Sequence, residues 1–283
     1  MSASTIPVDL RNPGQVFACL GFLEIARVLH GTVRGGFEER AFHLTTETGE
    51  DPFAAVLAFL RECEVVALAP LGHGEPDTWV SSGNVPLRLA KSPTYPVAIP
   101  QSPATLVAEL HSARGTVRVD HWGDATQRDN VKFWAGAGGY PGAALLRDAL
   151  ELARPQLDDA RTDPFAIHAP MSSSFRFDWR RDYVPIATGF SLNRHSHMVS
   201  QGYPLTELLA AVGLTHARPL RPGRDKLSYR YGALMGTDRH PAMLRAALGC
   251  APLPHPIRTF RIRMDWPGKA GQARCITDVV EET

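Results

Sequence analysis

One device recurs along this chain and constrains its fold more than any other. A polar or aromatic residue is followed by proline and then by an apolar run of helical period. Asn12-Pro13, Asp51-Pro52, Ser102-Pro103, Tyr140-Pro141, Tyr203-Pro204 and His240-Pro241 each open such a run. Proline suits the first helical turn, where its missing N–H needs no partner and its φ is already set. Gly31, Gly115, Pro155, Gly213 and Gly249 supply stops for five of the runs. The pattern predicts six short helices.

Between them lie strand signals. "EVVALAPL" (64–71) reads as a buried strand. "GTVRVDHW" (115–122) alternates, with Val117 and Val119 opposite Arg118 and Asp120. "SFRFDW" (174–179) places Phe175, Phe177 and Trp179 on one side, with Arg176, Asp178 and Arg180 on the other. "TFRIRMDW" (259–266) repeats the alternation, and "ARCITDVV" (273–280) is placed to pair with it. A strand with one apolar and one charged face belongs in an antiparallel sheet wetted on one side. The expected fold is therefore α+β, with mainly antiparallel sheets flanked by short Pro-initiated helices.

The chain of 283 residues is 44% hydrophobic and 21% charged, an ordinary globular composition. It has no 18-residue apolar run, and its first residues lack a basic-then-apolar leader. Cys19, Cys63, Cys250 and Cys275 form no Cys-x-x-Cys motif, so buried thiols in a reduced, cytoplasmic protein are expected. The net charge of +1 hides an asymmetry. Residues 1–170 carry 14 Lys/Arg against 20 Asp/Glu, and residues 171–283 carry 16 against 9. The sign changes within the polar stretch Asp158–Ser174. The chain thus divides into an acidic half (1–170) and a basic half (171–283), as two domains or one continuous one. Such polarity offers a basic face to nucleic acid and an acidic face to a basic partner, unless both charge sets are simply solvated. "NPGQVFACLGFLEIARVL" and "YPLTELLAAVGLTHARPL" share a pattern that fits either a duplication or common helix grammar.

Catalytic signals are few. His195-x-His197 brings two imidazoles together, but no third ligand stands at a recognisable spacing, so no metal is assigned. Asp120, His121 and Asp124 read either as an acid/base fragment or as a strand end anchored by Trp122. The chain has no nucleophile elbow and no phosphate loop ending in Gly-Lys-Ser/Thr, so no catalytic residue and no cofactor are assigned. Binding signals are stronger. In "NVKFWAGAGGYPG" (130–142) glycines precede a helix, with Lys132 and Arg128 beside them, a pattern that suits backbone approach to an anion. Arg176, Arg180, Arg181, Arg194, Arg218, Arg221, Arg224, Lys226 and Arg230 follow one another, and Asp178, Asp182 and Asp225 cannot neutralise them all. Guanidinium groups clamp phosphates in pairs of hydrogen bonds, and Tyr183, Tyr229 and Tyr231 offer rings for base stacking. The candidate nucleic-acid-binding set is Lys132, Arg176, Arg180, Arg181, Asn193, Arg194, His195, Lys226 and Arg230.

Four blocks carry a family resemblance: "IPVDLRNPGQVFACLGFLE", "KFWAG", "FRFDWRRDYVPIATGFSLNRHSHMVSQGYPLTELLAAVGLTHARP" and "MDWPGKAGQARCITDV". They resemble the Csb-type CRISPR-associated proteins of type I-G systems, formerly type I-U, over nearly the whole chain. The resemblance implies a non-catalytic subunit of the crRNA-guided antiviral effector (Cascade) complex. Its partners would be other effector subunits with guide RNA, target DNA or both, and no membrane. Cleavage would belong to a separate helicase–nuclease, and the acidic half would dock basic neighbours. A near-neutral chain departs from a strongly basic nucleic-acid binder, so its affinity in isolation is expected to be weak and salt-sensitive. Two other readings are a metal-dependent nuclease using Asp120, His121, His195 and His197, and an architectural subunit that touches only protein.

Overall fold

A computed structural model of the chain describes residues 1–71, 88–93, 106–122, 142–171, 174–180, 201–225, 227–265 and 275–282. In order these form β1 (Ser2–Pro7), α1 (Pro13–His30), β2 (Val33–Phe37), β3 (Ala41–Thr46), α2 (Pro52–Glu62) and β4 (Glu64–Pro70). Next come β5 (Leu89–Ser92), β6 (Ala108–Ser112), β7 (Gly115–Val119) and α3 (Gly142–Ala153). The short strands β8 (Ala169–Pro170) and β9 (Gln201–Gly202) precede α4 (Pro204–His216). The chain closes with β10 (Ser228–Leu234), α5 (Pro241–Leu248), β11 (Ile257–Asp265) and β12 (Cys275–Glu282). The fold is α+β, as the sequence implies. No helix among the described residues is long and apolar enough to cross a membrane.

α1 and α4 form the centre. α1 is buried on every side from Pro13 to Ala26, and α4 from Pro204 to Leu214. A helix apolar all round can exist in a soluble fold only when other elements cover each face. The two helices touch through glycine. A Cβ on Gly21 would overlap the carbonyl of Leu209, and one on Gly213 would overlap the carbonyl of Phe17. The contact is reciprocal: Phe17–Gly21 of "FACLG" meets Leu209–Gly213 of "LAAVG" in exchanged positions. Both first turns meet residues 177–178, and Glu24 approaches His216 near the other ends, so the helices run in the same direction. The shared sequence pattern thus corresponds to a local two-fold relation in space.

Sheets surround this pair. β1 and β2 run parallel with antiparallel β3 between them, and α1 connects them. β10, β11 and β12 form an antiparallel meander with a bulge between Arg263 and Met264. Its inner face holds Tyr229, Tyr231, Phe260, Ile262 and Met264, all fully buried. Bridges from Gly35 to Arg239 and from Phe37 to Met235 join the edge of β2 to the turn after β10. A third sheet, in the order β5-β4-β6-β7, packs against α3 and α4. One hydrophobic core runs through both sides of residue 170, so the change of charge there is not a break in packing.

Two expectations are corrected. The run after Ser102-Pro103 is not a helix across 108–114. Ala108–Ser112 and Gly115–Val119 form a hairpin with Ala113 and Arg114 in the turn. Leu106, Val107 and Leu110 suit either period, and the turn residues decide it. Ser174–Arg180 is not a strand either. Arg176 has φ +66°, which breaks the alternation, and the amides of Phe177 and Asp178 bond to Glu207 instead of a partner strand. Phe175 and Phe177 are buried as expected, but Trp179 is 39% exposed.

Candidate nucleic-acid interface

The segment 174–180 is wedged between the first turns of α1 and α4, and its position follows from a buried polar network. Asn12 caps α1 by accepting from the amide of Gly14, 3.1 Å, and its Nδ2 donates to Asp178 Oδ1, 2.9 Å. Asp178 is fully buried. It receives the amide of Arg180 (2.9 Å) and the same residue's guanidinium through Nε (3.0 Å) and Nη2 (2.6 Å). Arg180 Nη2 also donates to the carbonyl of Phe165, 2.8 Å, and its guanidinium lies 3.7 Å above the ring of Tyr203. A buried carboxylate is tolerated only when its lone pairs are filled in this way. From the first turn of α4, buried Glu207 accepts the amides of Phe177 (3.2 Å) and Asp178 (3.1 Å). Burial pulls the pKa of Arg176 down, opposed by the charges of Cys275 and Glu207.

Beside this network lies an aromatic cluster. The ring of Trp122 stacks on Phe175 at 5.6 Å, and Phe175 stacks on Phe177 at 5.3 Å. The indole N–H of Trp122 donates to the carbonyl of Leu106, 2.7 Å, and Gly142 lies so close to the indole that no side chain fits there. His121 sits among these rings, 4.7 Å from Trp122 and 5.5 Å from both Phe175 and Phe177. Burial, with the charge of Arg218, drives its pKa down to about 3. The carbonyl of Ala211 opposes that shift, yet neither ring nitrogen has a partner within hydrogen-bond geometry among the described residues. His121 is thus a buried histidine packed among aromatic rings. Asp120 pairs with Arg118 at 2.8 Å.

The candidate residues fare unevenly. Arg180 is committed to Asp178. Arg230 lies across from Arg261 in the β10–β11 register, and both turn to Glu282: Arg230 Nε is 2.7 Å from Oε2, and Arg261 Nε is 3.8 Å from Oε1. Arg258 grips Glu281 with two hydrogen bonds, 2.6 and 2.8 Å. Arg263, exposed on the same sheet, makes no ion pair among the described residues. Tyr229 and Tyr231 are not the base-stacking platforms expected from the sequence. Both are fully buried, and Tyr231 donates to the carbonyl of Leu10, 2.7 Å. Lys132, Arg181, Asn193, Arg194, His195 and Lys226 lie outside the described residues, as do Tyr183, His197 and the glycine-rich 130–141.

Asn12, Asp178 and Glu207 escaped the sequence reading as a functional group of residues. The available signal was an Asn-Pro cap and an acid in the first turn of an otherwise apolar helix. The network brings four chain positions together. Trp122 and Gly142, which flank residues 123–141, touch each other. Arg180 and Tyr203, which flank residues 181–202, also touch, and the stacked Phe175 and Phe177 connect the two pairs. No protein-family model, curated protein or solved structure matches the chain.

Proposed function

We propose that this chain is a non-catalytic, nucleic-acid-contacting subunit of a crRNA-guided effector complex of the type I-G CRISPR kind. One observation carries the reading beyond the sequence resemblance. Trp122 and Gly142, and Arg180 and Tyr203, lie around one aromatic cluster, and the sequence between each pair holds Lys132, Arg181, Asn193, Arg194 and His195. Cations suit a polynucleotide backbone, where phosphate contacts supply most of the affinity. In this reading the contact belongs to those segments. Arg180 and Arg230 support the scaffold, with their hydrogen-bonding capacity spent on carboxylates.

The test is binding of labelled single-stranded RNA and DNA, with the chain alone and co-expressed with its neighbouring genes. Substituting Lys132, Arg181 and Arg194 together by Ala is expected to weaken binding and lower the salt slope by about one per cation that had contacted phosphate. Unchanged affinity and slope in a folded variant would leave the architectural, protein-only role. That role has its own support in the matched ion pairs of the β10–β12 sheet.

A further inference from the structure

Two tryptophans fall among the described residues, and the fold uses them in opposite ways. Trp122 is buried, with its ring on Phe175, its N–H on the carbonyl of Leu106 and Gly142 against its indole. Trp179 is 39% exposed. Its N–H has no acceptor, and its ring makes no aromatic or cation–π contact, among the described residues. Strict alternation would have buried it beside Phe175 and Phe177. The positive φ of Arg176 ends the alternation, Asp178 takes the buried place, and the indole is left outside.

The residues on either side of Trp179 are fixed. Asp178 receives Asn12 and Arg180, and its own amide is held by Glu207. Arg180 is fixed again by the carbonyl of Phe165 and the ring of Tyr203. A ring presented by a fixed backbone has little freedom left to lose on binding, so its contact energy appears as affinity.

The occupant follows from the surroundings of the ring. An aromatic anchor of a protein contact sits at the centre of an apolar patch that excludes water. The other exposed large hydrophobics among the described residues stand elsewhere. Val28 is near the opposite end of α1, Leu220 and Val280 belong to β10 and its sheet, and Met1 and Leu71 adjoin the ends of β1 and β4. A lone flat ring is enough for a nucleobase, because every base has a π-face and stacking needs no apolar surround.

We propose that Trp179 stacks on an unpaired base of a bound single strand. The inference rests on the nucleic-acid reading above and narrows it. Cations hold phosphate on single and double strands alike, whereas a stacking indole selects a ligand whose bases are open.

Fluorescence anisotropy of the full chain tests this with a labelled single-stranded oligoadenylate, an abasic oligomer of the same length and a duplex RNA. Trp179→Ala is expected to weaken oligoadenylate binding about tenfold, the loss of one stacked base, with the salt slope unchanged. Trp179→Leu keeps apolar bulk without a π-face and is expected to lose as much. Trp179→Phe restores a ring and is expected to recover most of the affinity. The abasic oligomer and the duplex should bind the parent and Trp179→Ala alike. Parent-like affinity for oligoadenylate in both Trp179→Ala and Trp179→Leu would overturn the inference. It would leave the nucleic-acid reading standing if replacing Lys132, Arg181 and Arg194 still weakens binding. An equal loss with the abasic oligomer would overturn it too, since no base is there to stack. Unchanged oligoadenylate binding with loss of a co-expressed partner subunit would give the ring to a protein contact instead. A parent chain that binds none of the three would overturn both this inference and the reading beneath it.

Discussion

In α1 the motif "FACLG" and in α4 the motif "LAAVG" meet face to face, yet the side chain two residues before each motif serves a different end. On α4 that residue is Glu207, whose carboxylate fastens an extended piece of the same chain across the first turn. On α1 it is Gln15, which fastens the amide of Asp9 and lines a cleft. The helix–helix contact is alike on both sides because backbone approach tolerates only glycine there. The first turns differ because nothing in the helix contact restricts them. Packing thus conserves the shared pattern, and the freedom to diverge lies at the helix ends, where charge and hydrogen bonding decide what is held.

The strongest way to break this comparison is to challenge the helix contact itself. Gly21→Ala places a methyl group against the carbonyl of Leu209, and Gly213→Ala places one against that of Phe17. Rigid backbone on both sides leaves little room to relax. Each variant is expected to lose about 3 kcal/mol in urea unfolding, at the upper end of overpacking costs. The two losses should agree within about 1 kcal/mol. A tolerated substitution at one glycine and a severe one at the other would show that the local two-fold relation is only approximate.

The first turns supply a smaller, unequal pair. Glu207→Ala leaves two buried main-chain donors without an acceptor, at about 1–3 kcal/mol each. Gln15→Ala frees one donor, that of Asp9, an exposed residue whose amide water can reach, so a loss of about 1 kcal/mol or less is expected. Equal losses measured in the same unfolding assay would mean that Gln15 is as structural as Glu207.

A pH experiment sharpens the contrast further, because the α4 side alone rests on a buried histidine. Above pH 6.5 His121 is neutral in both folded and unfolded chains and contributes no pH dependence. Its folded pKa is about 3. Between pH 6.5 and 3 the unfolded chain takes up a proton that the folded chain refuses, so stability falls as pH falls. The slope approaches about 1.4 kcal/mol per pH unit from this group, or about 2 kcal/mol by pH 5. His121→Phe removes that share. Denaturation midpoints across pH 7.5–5 should therefore fall less steeply in the variant than in the parent, and parallel curves would show that His121 does titrate in the fold.

Much of this scaffold was legible in the sequence. Five of the Pro-initiated runs give the five α-helices of the described residues, because proline and an apolar period report local constraints that tertiary packing did not override. β11 and β12 were legible because one face of each is buried and the other wet. β10 was not, although Tyr229, Tyr231 and Ala233 alternate as faithfully as the residues of β11. Tyr and Arg read as surface chemistry when no partner strand is in view. The candidate site was the least legible, because counting cations against nearby acids in sequence ignores acids brought from afar. Arg230 meets Glu282 across 52 residues, and Arg245 meets Glu24 across 221. Asp178 was counted correctly, but as a surface counter-ion. Its burial, which makes Arg180 a structural residue, depends on Asn12 from the opposite end of the chain.

The smallest effect separates scaffold cations from contact cations. Arg230 and Glu282 form a half-exposed pair, and such pairs contribute about 0–1 kcal/mol. Arg261 Nε already lies 3.8 Å from the same carboxylate and can move toward it when Arg230 is removed. Arg230→Ala is therefore expected to cost under about 1 kcal/mol in urea unfolding. It should also leave polynucleotide affinity and its salt slope where they were, since Glu282 already neutralises the charge. A slope reduced by about one in Arg230→Ala would instead mean that polyanions compete with Glu282 for this guanidinium. Arg230 would then return to the candidate contact residues.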